Sequence, residues 1–377
     1  MIKTIRRWAL GVSLGFLLLG LCACSSQDSQ ISELIQQGDD AYAAGRYEEA
    51  VQAYSQILEL DSEQDEVCNN RGMAYLNLEA YDQALADFSR AIQLDSATAI
   101  YYNNRGLVYY YQGNPEAAIE DFNRAIEING ADANYYANRG DAYSEMEAYE
   151  EALADYDQAL RLDADRVTTY NNRASVYFKQ GQYEEAVADY TSALEKGLEG
   201  ETEDAAAVVY WNRGEAYRML QQYQNAIDDY NQYESLETKL DTEFYMKRAE
   251  AYVGLEHYEE ALADYNTAIE QNSEDAVLYQ GRANVYYQMG NYQEAADDYT
   301  VALSAQEDAV SLGNRGYCYL QLGQLDAALS DLNRCIELDP EYAWAYYTRG
   351  QILQEQELYE EAKADYDKAN ELVSSAS

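Results

Sequence analysis

The stretch YYNNRGLVYYYQG, residues 101–113, sets an arginine, Arg105, and two asparagines inside a tyrosine-rich run that otherwise reads as an apolar helix. The phrase returns as CNNRG at 68–72, YANRG at 136–140, YNNRA at 170–174, YWNRG at 210–214 and LGNRG at 312–316. Gly38, Gly72, Gly106 and Gly140 are each 34 residues apart, and Ala174 follows at the same interval. The series resumes at Gly214, Ala249, Ala283, Gly316 and Gly350, so ten units cover about residues 31–376. A period of this length predicts a stack of small supersecondary units, each unable to bury its apolar face alone and stable only against its neighbours.

Each unit is numbered here so that this small residue is eighth. Tyrosines then recur at position 4 (Tyr102, Tyr136, Tyr170, Tyr210) and at position 11 (Tyr75, Tyr109, Tyr143, Tyr177). Positions 4, 8 and 11 form one stripe of a helix, which is expected to be its buried stripe. A break follows, often at glycine (Gly45, Gly113, Gly181, Gly290, Gly323), and a second helix begins near position 17. It usually opens with tyrosine and two acids, which suit the positive end of the helix dipole. Its stripe is alanine at 20, an aromatic at 24 and a small residue at 27. In one unit Asn114-Pro115 reads as an N-cap followed by proline at the first helical position. Positions 4, 11, 17 and 24 take up most of the 40 tyrosines, which makes the aromatic content largely framework.

This spacing of aromatic, glycine, tyrosine and alanine residues resembles the tetratricopeptide repeat family in all ten units. The resemblance implies an all-α, right-handed superhelical solenoid of about ten helix-turn-helix units, with positions 2, 5, 9 and 12 of the first helices lining a concave groove. Members that bind chaperones hold a C-terminal carboxylate with lysines at positions 2 and 5. No unit here has lysine at either position, which argues against acidic peptide tails as ligands. The groove residues so implied are Asn69, Asn103, Leu107, Tyr110, Tyr111, Asn171, Phe178, Trp211, Arg218, Asn284, Tyr287, Tyr317, Trp344 and Tyr347. The Asn69 and Asn103 amides are candidates to bond an extended peptide backbone.

The repeated arginine falls at position 7, about 60° from position 4 and on the side away from position 5. It flanks the buried stripe. Position 23 is aspartate in nine units, the same nine that carry the arginine, and in an antiparallel hairpin the two positions lie level. The expectation is a repeated Arg–Asp pair, within or between units, that sets helix register. A ladder of arginines for anionic ligands is the alternative. By the same height rule Cys318 and Cys335 differ by about 10 Å in level at ~1.5 Å per residue, too far for a disulfide, and read as small core residues.

The chain opens MIKTIRRWALGVSLGFLLLGLCACSS, with Lys3, Arg6 and Arg7 before an apolar run and no acid before Asp28. This is the layout of a signal peptide, 1–23. Leu21-Cys22-Ala23-Cys24 resembles a bacterial lipobox, which marks Cys24 as the lipidated residue and implies an extracytoplasmic protein anchored by lipid to a membrane of the bacterial cell envelope. A polar tether, 24–30, reaches about 25 Å at ~3.5 Å per residue. Units 1–5 then occupy 31–206 and units 6–10 occupy 207–377. An insertion at 195–207 lengthens the connection between them and reads as a surface loop, with a hinge as the alternative.

Without the leader's three cations, 22 basic residues face 69 acidic ones, a net charge of −47. Such a surface repels nucleic acid and suits basic or neutral partners. One histidine, His257, and three non-leader cysteines at wide spacing build neither a catalytic triad nor a metal site. No cofactor is expected. The sequence therefore predicts a non-enzymatic, membrane-anchored adaptor that binds a protein or peptide along the groove, with binding of carbohydrate or cell-wall fragments as the alternative. Partner identity and oligomeric state are not encoded in any feature of the chain.

Overall fold

The computed structural model describes residues 26–196 and 203–376. All described secondary structure is α-helical, twenty helices that form helix-turn-helix hairpins in a solenoid. They divide into two compact units, with the division between Val209 and Tyr210.

The first unit holds five hairpins: α1 (Ser26–Ala43) with α2 (Tyr47–Leu60), α3 (Asp65–Asn77) with α4 (Tyr81–Leu94), α5 (Ala99–Tyr111) with α6 (Pro115–Ile128), α7 (Ala133–Glu145) with α8 (Tyr149–Leu162), and α9 (Val167–Lys179) with α10 (Tyr183–Glu195). The helix α11 (Glu203–Met219) carries the division. In the second unit it pairs with α12 (Tyr223–Leu236), followed by α13 (Thr242–Gly254) with α14 (Tyr258–Gln271), α15 (Ala276–Gln288) with α16 (Tyr292–Ala305), α17 (Ala309–Gln321) with α18 (Leu325–Leu338), and α19 (Ala343–Glu355) with α20 (Tyr359–Ala376).

The turn inside every hairpin needs one residue in the left-handed region. Gly45, Gly113, Gly181, Gly290 and Gly323 supply it at φ of 72–77°, and the equivalent Glu79, Glu147, Gln221, Glu256 and Glu357 adopt it at 57–61°. Asn114 caps α6 through its side chain, which accepts the amide N–H of Ala117 at 3.2 Å, with Pro115 in the first helical position as expected.

Within a hairpin the ring at position 24 lies on the small residue at position 8. A Cβ added to Gly140 would come within 2.8 Å of the Tyr156 ring, and Gly72 and Gly106 stand in the same relation to Phe88 and Phe122. Here the residue must be small because an aromatic ring occupies the space.

Burial on the first helices is centred one residue earlier than the tyrosine pattern suggests. Tyr101, Tyr135, Phe244 and Leu278 at position 3 are fully enclosed, as are Val108, Val176 and Val285 at position 10. The tyrosines at 4 and 11 are only half-buried. The reason is stacking: a first helix such as α5 touches the second helix of the unit before it as well as its own, so Val108 packs with Phe88 and Tyr101 with Ala91. A residue between two second helices is covered from both sides.

The last hairpin ends differently from the others. Leu85 and Ile92, Ile119 and Ile126, or Leu329 and Ile336 hold positions 21 and 28, which pack toward the next unit; in α20 these are Lys363 and Asn370, both exposed. The outer face of α20 is thus polar at the places where the other second helices carry a seam. At the other end α1 begins at Ser26, so the stretch expected as a polar tether is helical from that residue on. Cys24 and residues 197–202 of the insertion lie outside the described residues.

Candidate functional site

The repeated arginine is a clasp. Arg71, Arg105, Arg139, Arg173, Arg213, Arg248, Arg282, Arg315 and Arg349 each donate from Nε and Nη2 to both oxygens of the aspartate sixteen residues on, at 2.6–2.9 Å. Every pair closes one hairpin. The remaining nitrogen, Nη1, reaches back to the preceding unit's second helix: Arg71 to Ser55 at 3.0 Å, Arg139 to Asn123, Arg282 to Asn266, and Arg349 to Asn333 at 2.7 Å. The half-buried tyrosines at 4 and 11 sit beside the same guanidinium, Tyr136 and Tyr143 at 5.7 and 5.9 Å from Arg139. Fork geometry explains why this residue is arginine and never lysine. Each guanidinium is thus charge-paired with an aspartate of its own hairpin, which favours a structural clasp over a row presented to an anionic ligand.

The face expected to receive a partner is built differently in the two compact units. In the first, side-chain amides bond one another from unit to unit. Asn104 donates to Asn69 and Asn138 to Asn103, both at 2.8 Å, and Asn172 donates to the carboxylate of Asp141 at 2.8 Å. Asn103 is fully buried, and its own amide N–H points to Asn104 at 3.3 Å. The Asn69 and Asn103 amides, the candidates to bond a peptide backbone, thus each accept one hydrogen bond from the next unit. Leu107 and Tyr110 pack on the Phe122 cluster, Tyr111 is exposed with its ring edge-on to Tyr110, and Phe178 packs edge-on to Tyr183. Asn171 is half-buried, next to Asn172. Asp141 also accepts the Tyr156 hydroxyl at 2.7 Å. Burial pushes the Asp141 carboxyl up to about 6, against the hydrogen bonds from Tyr156 and Asn172 that pull it down.

In the second unit, two of the expected residues are held by the framework. Trp211 lies against Tyr230, Tyr233 and Phe244 with centroids 5.3–6.3 Å apart, as part of that hairpin's core. Arg218 is paired with Glu215 at 2.9 Å and with Glu250 at 3.1 Å. Asn284 accepts the Tyr299 hydroxyl at 2.6 Å.

Farther along, the rings connect into a ladder. Tyr287 contacts Tyr317 at 5.6 Å, Tyr317 contacts Trp344 at 5.5 Å, and Trp344 stacks on Tyr347 at 5.6 Å with 20° between planes. Tyr292 and Tyr366 join it from the second helices, against Tyr317 and Tyr347. Sequence reading assigned both to the framework by position and so missed them. Trp344 and Tyr347 remain 37% and 43% exposed, far more than an aromatic in a repeat core.

Burial pushes the Cys318 and Cys335 thiols up to about 12, and Cys68 is likewise raised by burial, so these free thiols pack as small apolar groups. His257 is exposed at the start of α14 beside Tyr252. Among the described residues no cluster of three or more His, Cys, Asp or Glu side chains could hold a metal ion, and no helix is long and apolar enough to cross a membrane.

Family models described as "Tetratricopeptide repeat" match residues 66–97, 99–132, 165–236, 276–309 and 345–372. A model described as "TPR repeat" matches 38–79, 140–181, 249–290 and 316–357. Over a 59-residue segment the chain is 37% identical to the DnaJ homolog subfamily C member 7 homolog of Dictyostelium discoideum, a match that spans 16% of this chain and 11% of that protein. Among solved structures, a tetratricopeptide repeat protein from Parabacteroides merdae aligns with a TM-score of 0.48 at 18% identity, over 68% of this chain and 99% of that one. TTC0263, a TPR protein of Thermus thermophilus, aligns with a TM-score of 0.41 at 24% identity, over 45% of this chain and 93% of that one. The period, the paired helices, and family models that together span most of residues 38–372 lead to one conclusion: this chain belongs to the tetratricopeptide repeat family, a non-catalytic module for protein–protein interaction.

Proposed function

We propose that this protein is a scaffold whose partner-binding surface centres on the aromatic ladder of its last three hairpins, and that Cys24 tethers it to a membrane of the bacterial cell envelope. The observation that carries the first part is the exposure of Trp344 and Tyr347. Burying an aromatic face gains roughly 25 cal/mol per Å², and a folded chain has no internal reason to leave two stacked rings in water. Exposed aromatic clusters of this kind mark binding surfaces. The net negative charge of the chain favours a basic or neutral protein or peptide. The tether rests on the cations, apolar run and Leu21-Cys22-Ala23-Cys24 of the leader.

Stacked, exposed rings also suit the faces of sugars, which supports carbohydrate or cell-wall fragments as a second reading. The two separate by salt. Binding of a basic partner weakens steeply with ionic strength, whereas stacking on a sugar hardly changes. Crosslinking and pull-down from intact cells with the anchor retained supplies the partner. Trp344→Ala and Tyr347→Ala should then each lower its affinity by 10-fold or more with the thermal unfolding curve unchanged, and unaltered affinity in both variants counts against the ladder. Cys24→Ala should move the protein from the membrane fraction to the soluble one.

A further inference from the structure

Where a second helix is closed by aspartate, the residue three positions on is not acidic: Asp61 is followed by Gln64, Asp95 by Thr98, Asp163 by Arg166 and Asp339 by Tyr342. In two of these junctions the pairing is a hydrogen bond. Gln64 donates to Asp61 at 2.6 Å and Thr98 to Asp95 at 2.5 Å, and these bonds hold both carboxyls below their ordinary value. Where the closing residue is asparagine, the residue three positions on is aspartate: Asn129 is followed by Asp132 and Asn272 by Asp275. Each of these aspartates caps the next helix, Asp132 accepting from the Asn134 amide N–H at 2.9 Å and Asp275 from that of Val277 at 3.0 Å. Such a junction needs a neutral amide beside its capping carboxylate, because two carboxylates repel.

Asn129 is followed by Gly130, the one Asn-Gly pair in the sequence. Nothing in the fold asks for that glycine. The equivalent residue elsewhere is Ser62, Ser96, Ala164, Ser273 or Pro340. A Cβ added to Gly130 would meet only the Ile126 carbonyl oxygen at 3.4 Å and the Tyr136 hydroxyl at 3.5 Å, both ordinary contacts. What the glycine changes is access to its own nitrogen. Asn129 and Gly130 are both exposed, and among the described residues no backbone group accepts from the Gly130 N–H. The Asn129 side chain is folded over the backbone that follows it, its Oδ1 accepting the Ala131 amide N–H at 3.2 Å. This keeps its carboxamide carbon close to the Gly130 nitrogen, with no side chain on the glycine to hinder attack.

We propose that Asn129 is a site of spontaneous deamidation, and that the carboxylate it gains loosens the junction between α6 and α7. The Gly130 N–H gives its proton to solvent base, and the nitrogen bonds to Asn129 Cγ. The bond from Cγ to Nδ2 breaks, and ammonia leaves. Water then opens the five-membered succinimide at one of its two carbonyl carbons. Opening at Cγ gives aspartate in a normal backbone, and opening at the main-chain carbon gives isoaspartate. One water is taken up, one ammonia is released and one negative charge is gained, with no change of oxidation state. The new carboxylate faces Asp132, where Asp61 and Asp95 each face a donor. Isoaspartate also adds a methylene to the turn that presents the Gly130 carbonyl oxygen to the Tyr136 hydroxyl at 3.3 Å. The inference is independent of what the aromatic ladder binds.

The full chain is incubated at mildly alkaline pH, and conversion of each asparagine mass to the aspartate mass is followed by peptide mapping. Asn272 is the internal control. Its backbone angles, φ −144° and ψ 86°, nearly equal the −139° and 89° of Asn129, but Ser273 follows it. Asn129 should convert at least 10-fold faster than Asn272, and Gly130→Ser should remove that advantage. Asn129→Asp, which reproduces the aspartate product, should speed hydrogen exchange of the Asn134 amide about 3-fold, an effect that fades in high salt as repulsion between two exposed carboxylates must. Asn129→Asp combined with Asp132→Thr copies the Asp95–Thr98 pair and should exchange no faster than Asp132→Thr alone. Three results would each overturn the proposal: equal conversion of Asn129 and Asn272, fast conversion that survives Gly130→Ser, and an effect of Asn129→Asp on Asn134 that is absent or is equally large once Asp132 is replaced.

Discussion

Hairpins two to five and hairpins eight to ten share a framework and differ in the face laid over it. The clasp joins Arg139 to Asp155 in one region and Arg315 to Asp331 in the other with the same bidentate geometry. Over that framework the first region sets amides that bond each other, and the second sets rings that touch each other and water. Amide pairs consume the donors and acceptors that a ligand needs, while ring stacking leaves one aromatic face open. A repeat can therefore keep its scaffold constant and vary whether its surface is self-satisfied or available.

The largest effect should come from the shared part. Asp155→Ala strands a mostly buried arginine and is expected to cost about 3 kcal/mol or more, with Asp331→Ala costing the same. Urea unfolding of both variants checks this, and clearly unequal losses would break the claim of a common framework. Arg139→Met with Asp155→Leu removes both charges and should recover most of the loss without affecting partner binding.

Asn103→Ala comes next. It leaves Asn138 without its acceptor and should lower stability by about 1 kcal/mol while leaving partner affinity unchanged, the reverse of Trp344→Ala. A drop in affinity instead would mean that the amide ladder is itself a binding surface.

The turns offer a smaller contrast. Glu147 holds φ at 59°, where a side chain is strained, and Gly323 holds the equivalent position at 72° without strain. Glu147→Gly is expected to stabilise by about 0.5 kcal/mol, because glycine's extra freedom in the unfolded chain offsets part of the relief, and Gly323→Ala to destabilise by about 1 kcal/mol. Denaturant midpoints report both.

A further contrast is electrostatic and confined to the first region. The Asp141 carboxyl, at about 6, sits above its ordinary 3.8. Between those values the native state holds a proton that the unfolded chain has released, so stability falls as pH rises through the window. Asp141→Asn should flatten that slope between pH 4 and 7 in thermal melts, and an unchanged slope would place the titration elsewhere.

Legibility followed distance along the chain. The clasp could be read because arginine and aspartate recur sixteen residues apart inside one hairpin, where helix geometry alone sets their level. The displaced burial at Tyr101 and Val108 could not, since it depends on the second helix of the unit before. The same holds for the candidate surface. Trp344 and Tyr347 were named by position and stay exposed, but Trp211 holds an equally promising position and is taken into the core by Tyr233 and Phe244.

From residue order alone come the ten-fold period, the hairpin, the small residue beneath each ring and the Arg–Asp partnership, because all are local constraints repeated at a constant offset. Which surface groups stay free was decided by tertiary structure. Asn69 meets Asn104 across 35 residues, and Trp211 is taken up by Phe244 of the next hairpin. Such outcomes depend on which side chain reaches a shared space first, and that competition exists only once neighbouring units are packed together.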